Sequence, residues 1–284
     1  MNTIRTTFGW LAAIILLISG HAFAGGLVEL PGDFDGTSNI VDNPWYPLVP
    51  GQRSIFIEEV EDECEIIIID VIATANQSRT SVNGVAIREV LDTVYLDESG
   101  DYCEDGSGGP EDWELLEITL DWFAQDMDGN IWYTGEHSVA TDHDECDHPS
   151  EDPDPIFQNY FMPTTVTGCL DGSWEAGYDI WEEEADEDIL AGIYMLSNPQ
   201  KGDFYFQEYW EDEATDMAKV LNFKDVDTFV YGELEDCLRT KDWVPLEPGS
   251  IEQKTYCFGL GQVLEAGIAG GKTGYVILVE VIDP

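Results

Sequence analysis

From Arg53 onward the chain is built of short apolar runs rich in Ile, Val, Tyr and Trp, at 54–59, 64–73, 85–96, 115–124, 131–136, 203–210, 217–222, 237–244, 251–258 and 274–282. Turn residues separate them, and this pattern predicts antiparallel strands. The clearest segment is Leu116-Glu117-Ile118-Thr119-Leu120-Asp121-Trp122, where apolar and polar residues alternate with a period of two. Such a strand has one buried and one wet face, and Trp122 lies on the buried parity. Asp128-Gly129 then leads into Ile131-Trp132-Tyr133, which predicts a tight hairpin. The expected fold is mainly β, with antiparallel sheets forming a sandwich or an open, curved sheet. Helix is expected only in short pieces, around Asp188–Leu196 and Glu211–Met217, where acidic residues suit a helix amino terminus.

The amino terminus reads as an export signal. Arg5 precedes an apolar run from Trp10 to Ile18, and Ala22-Phe23-Ala24 offers a cleavage site. Residues 1–24 are therefore expected to be removed, leaving 25–284 as one β-rich domain, with an acidic stretch at 141–155 where two lobes could meet. Residues 25–51 are an extended, turn-laden segment rich in Gly, Pro, Asp and Asn. No later run is long enough to span a bilayer as a helix. A periplasmic or secreted location follows as the expectation.

Charge narrows the partners. The chain carries 59 acidic against 11 basic residues, a net charge of −48. Nucleic acid is excluded, because phosphate binding needs clustered Lys and Arg. The plausible partners are cations or a basic protein. A hydrophobic content of 43% with 12% aromatics argues against disorder. The acidity also fits a surface adapted to salt.

Six cysteines, Cys64, Cys103, Cys146, Cys169, Cys237 and Cys257, predict disulfides in an oxidising compartment. Cys237 and Cys257 are equidistant from Glu247 in the turn Leu246-Glu247-Pro248-Gly249, so two strands folded there would set them opposite each other. Cys146 with Cys169, across the acidic loop, is a weaker pairing, and Cys64 and Cys103 are left unplaced.

Two segments carry candidate metal chemistry. Asp142-His143-Asp144-Glu145-Cys146-Asp147-His148 groups imidazoles and carboxylates that could hold zinc or copper; an acidic loop stapled by Cys146 explains the same residues. Asp126-Met127-Asp128-Gly129-Asn130 offers oxygens at alternate positions, as a calcium loop does, but its glycine is fourth rather than sixth and a strand follows at once. A plain hairpin turn accounts for it. The metal candidates are thus Asp142, His143, Asp144, Asp147, His148, Asp126, Asp128 and Asn130, for calcium, zinc or copper. Ala266–Thr273 approaches a phosphate loop, but a strand rather than a helix follows, which excludes nucleotide binding. Neither a G-x-S-x-G elbow nor a His-Glu-x-x-His pair is present.

Asp121-Trp122-Phe123-Ala124-Gln125-Asp126, Gly129-Asn130-Ile131-Trp132-Tyr133, Gly135-Glu136, Gly172-Ser173-Trp174-Glu175-Ala176-Gly177, Gln207-Glu208-Tyr209 and Leu246-Glu247-Pro248-Gly249 together resemble a family of uncharacterised secreted bacterial proteins, over roughly 43–282. The chain departs from that pattern in its extra cysteines and its acidic insert at 141–155. The resemblance implies secretion and no particular activity. The functional expectation is a non-enzymatic extracytoplasmic binding protein that gathers cations. A secreted hydrolase working through carboxylates is the alternative, and a surface or matrix interaction protein is a third. Carboxylates converging on one concave site would favour the hydrolase, whereas evenly spread charge would favour salt adaptation.

Overall fold

The computed structural model describes residues 32–60, 63–141, 146–150, 168–211, 213–228, 230–246, 249–269 and 274–284. Strands β1 (Arg53–Val60) and β2 (Glu63–Val71) are followed by a small hairpin, β3 (Ser81–Val82) and β4 (Val85–Ala86), and by β5 (Arg88–Asp97). Helix α1 (Asp101–Asp105) precedes the long hairpin of β6 (Glu114–Gln125) and β7 (Ile131–Ala140). Short pieces follow: β8 (Trp174–Glu175), β9 (Tyr178–Asp179), β10 (Glu184–Ala185), β11 (Leu190–Met195), β12 (Phe204–Phe206) and β13 (Glu208–Tyr209). The chain ends in β14 (Met217–Thr228), β15 (Gly232–Trp243), β16 (Ile251–Cys257), β17 (Gly261–Ala269) and β18 (Tyr275–Ile282).

All but β3 and β4 belong to one 16-stranded antiparallel sheet. The first meander, β1-β2-β5-β6-β7, and the last, β14 to β18, are zipped together where β1 pairs with β18. Of the two expected arrangements, a sandwich or an open, curved sheet, this is the second. Strand β2 shows why the curve has cores on both faces. Its Ile66 and Ile68 join Ile55, Cys64 and Tyr95 on one face, while Ile67 and Ile69 face a cavity on the other. A continuous apolar run is what a strand covered on both sides requires. The cover over the first face is the segment from Tyr102 to Trp113, tied down by the Cys64–Cys103 disulfide.

The other pairs are Cys146–Cys169 and Cys237–Cys257. The latter lies in the predicted register, since Leu238 pairs with Tyr256 across β15 and β16. Bonded cysteines fit an oxidising, extracytoplasmic compartment. No described helix is long and apolar enough to cross a membrane.

The two expected helices are corrected. Residues 190–195 are strand β11, paired with β7 and β13. The acids before it form a turn, in which Asp186 accepts a hydrogen bond from the Asp188 amide at 2.9 Å, rather than a helix amino terminus. Gly192 also permits a contact that only a sheet makes: a Cβ there would sit 2.1 Å from the Gln207 backbone. Around 211–217, Trp210 and Ala214 bridge a turn and Met217 opens β14.

Candidate functional site

The concave side of the sheet encloses a cavity of about 520 Å³. Gln52 and Glu58, both on its wall, are six residues apart along one extended segment, about 20 Å at ~3.3 Å per residue. Carboxyl groups converge on it from many strands. Glu58 and Glu65 come from β1 and β2, Asp92 from β5, and Glu117 and Asp121 from β6. Glu136 comes from β7, Glu208 from β13 with Asp216 just before β14, and Glu265 from β17. Lys254 of β16 is the one basic side chain on this wall. Tyr46, Phe123, Tyr133 and Tyr194 supply an aromatic side, with Phe123 stacked on Tyr133 at 5.0 Å.

Strand parity explains most of this. In β6, Ile118, Leu120, Trp122 and Ala124 are buried in the main core, so Glu117, Asp121 and Phe123 point the other way, into the cavity. The wet face predicted from the sequence is therefore an inner surface. One departure from parity is decisive. Tyr133 and Glu136 are three residues apart and should lie on opposite faces, yet both line the cavity. The register slips between Trp122 opposite Gly135 and Phe123 opposite Tyr133, a bulge that inserts one residue and turns Glu136 inward. Gly135 makes it possible, with φ at 144° and no room for a Cβ, which would lie 2.6 Å from the Trp174 carbonyl oxygen.

The bulge sets Glu136 beside Asp121, its direct partner across the strand pair. Tyr133 donates a hydrogen bond from its hydroxyl to Asp121 Oδ1 at 2.5 Å. Burial raises the Asp121 carboxyl to about 7, although the Tyr133 bond works against the rise. Burial, reinforced by Glu208 and Asp121, pushes Glu136 well above the usual carboxylate range. Asp92 is raised by burial and by Asp121, and its Oδ1 has no hydrogen-bond partner. Glu208 is 9% exposed; burial and its hydrogen-bonded neighbour Asp216 raise it, and its Oε2 is likewise without a partner.

Lys254 behaves in the opposite way. Burial opposes its charge, but Glu265 and Asp242 outweigh that and hold the ammonium well above its ordinary value. Its Nζ lies 3.6 Å from Glu265 and 4.0 Å from Glu252. The Lys254 and Glu265 side chains keep 22% and 20% of their surface open, so cavity water moderates the desolvation. Behind them Asp242, only 5% exposed, is pushed up to about 6 by burial.

The sequence-predicted metal residues lie elsewhere. Asp142, His143 and Asp144 are outside the described residues. His148 stacks on Trp181 at 3.7 Å, and its Nδ1 is 3.1 Å from Asp171 Oδ1. Asp147 donates its backbone amide to the same carboxylate. Among the described residues, the one group of three possible ligands within mutual reach is Cys146, Cys169 and Asp171, and its two sulfurs are joined in a disulfide. At the hairpin, Asp126 accepts hydrogen bonds from the amides of Asp128 and Asn130, from Asn130 Nδ2 and from Trp132 Nε1. Asn130 Oδ1 accepts from the Ser197 amide. Those oxygens hold the turn closed. The cavity residues Asp92, Asp121, Glu136, Glu208 and Lys254 were not named as site residues from sequence, although the resemblance motifs include Asp121, Glu136 and Glu208 and polar parity in the strands marks several of them.

No protein-family model matches the chain, and no curated protein matches it. Two solved structures are similar. One is a protein described as exported, with a YmcC-like fold, from Bacteroides fragilis: 12% identity, 84% of this chain and 98% of that one covered, TM-score 0.40. The other is described as a lipoprotein, from Parabacteroides distasonis: 10% identity, 84% and 99% covered, TM-score 0.37. Likeness at that level carries nothing about the site.

Proposed function

We propose that this protein, in the periplasm or outside the cell, binds a small organic polycation, an oligoamine, in the acidic cavity. The convergence of carboxyl groups from separate strands on one long space with a single lysine carries the reading. Lys254 shows that this environment stabilises an ammonium even where burial opposes it. Unpartnered oxygens on Asp92 and Glu208 offer acceptors to further N–H donors, since buried polar atoms are normally paired. Aromatic faces at Tyr46, Phe123 and Tyr194 suit methylene segments and cation–π contact. The carboxylates are spread along the cavity rather than gathered within one ion's reach, which favours a chain of ammonium groups over a single metal ion.

Spermidine titrated at fixed ionic strength tests this. Binding to the folded state alone raises the unfolding midpoint, by about 2.7 kcal/mol at a hundredfold excess over Kd. The expected result is a saturable rise that NaCl does not reproduce. It should shrink in D121N/E136Q and persist in E182Q/E183Q, which neutralises exposed acids instead. An equal effect in both variants, or none beyond NaCl, sinks the reading.

A second reading has one observation in its favour. Asp121 and Glu136 are directly opposed and both line the cavity, and glycoside hydrolysis uses a pair of carboxyl groups flanking one bond. A secreted hydrolase using them would show turnover abolished by either D121N or E136Q alone.

A further inference from the structure

Without ligand, the cavity's charge has to be balanced locally, because one ammonium faces many carboxyl groups. Two arrangements show how. Glu208 and Asp216 are neighbours on the cavity wall, where burial and Asp216 raise the Glu208 carboxyl, and two carboxyl groups held together favour keeping one proton between them. Asp121 and Glu136 are juxtaposed by the Gly135 bulge, with the Tyr133 hydroxyl donating to Asp121. Like charges at that distance cannot both ionise freely.

The groups facing these pairs come from every surrounding element. Asp92 and Glu117 face Asp121 from β5 and β6, and Tyr46 and Tyr194 approach from the amino-terminal segment and β11. On the far side Asp242, Lys254, Tyr256 and Glu265 form one network, in which Lys254 is already committed to Glu265 and Glu252. Lys254 is the one cation on the described wall, so none is left over for Asp121, Glu136 or Glu208.

We propose that protons held on the Glu208–Asp216 and Asp121–Glu136 pairs stand in for the ligand's positive charge, and that an entering ammonium displaces them to solvent. The inference rests on the oligoamine reading. The exchange balances: one ammonium enters, one proton leaves as a hydronium or onto buffer, and the cavity's net charge is unchanged. The upward displacement of Asp121, Glu136 and Glu208 by burial is what such retained protons require. Binding then weakens about tenfold per pH unit of acidification for each proton exchanged, so acid releases the ligand.

The experiment is calorimetric titration of the oxidised protein with spermidine at pH 7, in phosphate and in Tris, whose ionisation heats differ. About two protons released per spermidine are expected, one from each pair, falling to about one in E208Q and in D121N. Binding with the same heat in both buffers overturns the exchange and leaves the oligoamine reading standing. No binding in either buffer ends that reading. Infrared spectra of the ligand-free protein then decide on retained protons: a protonated-carboxyl band at pH 7 that D121N diminishes is expected, and its absence overturns the proposal by itself.

Discussion

Replacing Asp121 with asparagine should stabilise the protein, and only at neutral to alkaline pH. The Asp121 carboxyl is raised from 3.8 to about 7 by burial. Below about pH 4 it is protonated in both folded and unfolded chains and costs nothing. Between about 4 and 7 the unfolded chain ionises first, so the folded state binds the extra proton and stability falls as pH rises. Above 7 the full cost applies, about 4 kcal/mol at ~1.4 kcal/mol per pH unit. Asparagine is neutral throughout, and its Oδ1 still accepts the Tyr133 hydroxyl. The difference between D121N and the parent should therefore be near zero at pH 4 and grow to at most about 4 kcal/mol at pH 8. Glu136 ionises more readily once its neighbour is neutral, which makes the figure a ceiling. At ~2–4 °C per kcal/mol for a chain of this size, the midpoint should rise by up to about 8–16 °C. Thermal or urea unfolding from pH 4 to 9 measures it. A difference that does not change with pH, or a variant less stable at pH 8, refutes the reasoning. A destabilising carboxyl retained in a cavity is the usual mark of a site kept for function.

Two further outcomes test the fold that carries the site. G135A should cost about 2–3 kcal/mol, since the added Cβ meets the Trp174 carbonyl and the Glu175 Cα within 3 Å; a urea midpoint equal to the parent's would show that the bulge tolerates a side chain. Removing the Cys64–Cys103 bridge as C64A/C103A, which opens a loop of sequence separation 39, should cost about 4 kcal/mol on chain-entropy grounds, and a loss under ~1 kcal/mol by urea unfolding would contradict its role in holding Tyr102 and Trp113 against the sheet.

Much of the fold is legible in the residues. The runs at 54–59, 64–73, 115–124 and 251–258 are strands, the Asp128-Gly129 pair lies in the β6–β7 hairpin, and Cys237 meets Cys257 because β15 and β16 pair antiparallel in the expected register. Trp122 is buried, as its parity requires. Strand β11 was hidden because the acids before it, which suit a helix start, here close a turn. Strand β17 was hidden by its glycines and alanines, which suggest a loop when no partner is in view.

The candidate site was legible only in half. Alternation in Leu116–Trp122 separates Glu117 and Asp121 from the apolar residues, but a period of two does not tell whether the polar face meets solvent or a lumen. That depends on which strands curve round to oppose it, here β11, β13, β16 and β17, whose residues are 70 to 150 positions away. Glu136 was further concealed, because its facing follows from one inserted residue at the Gly135 bulge and not from local parity. The sequence by itself therefore determined strand content, hairpin turns, one disulfide register and an acidic character, all of which rest on neighbours within a few residues or on a single turn. Tertiary structure alone decided that the acids meet in one cavity, that Lys254 is the one basic side chain on the described wall, and that burial raises several of the carboxyl groups. Burial and mutual repulsion exist only once distant strands enclose the space between them.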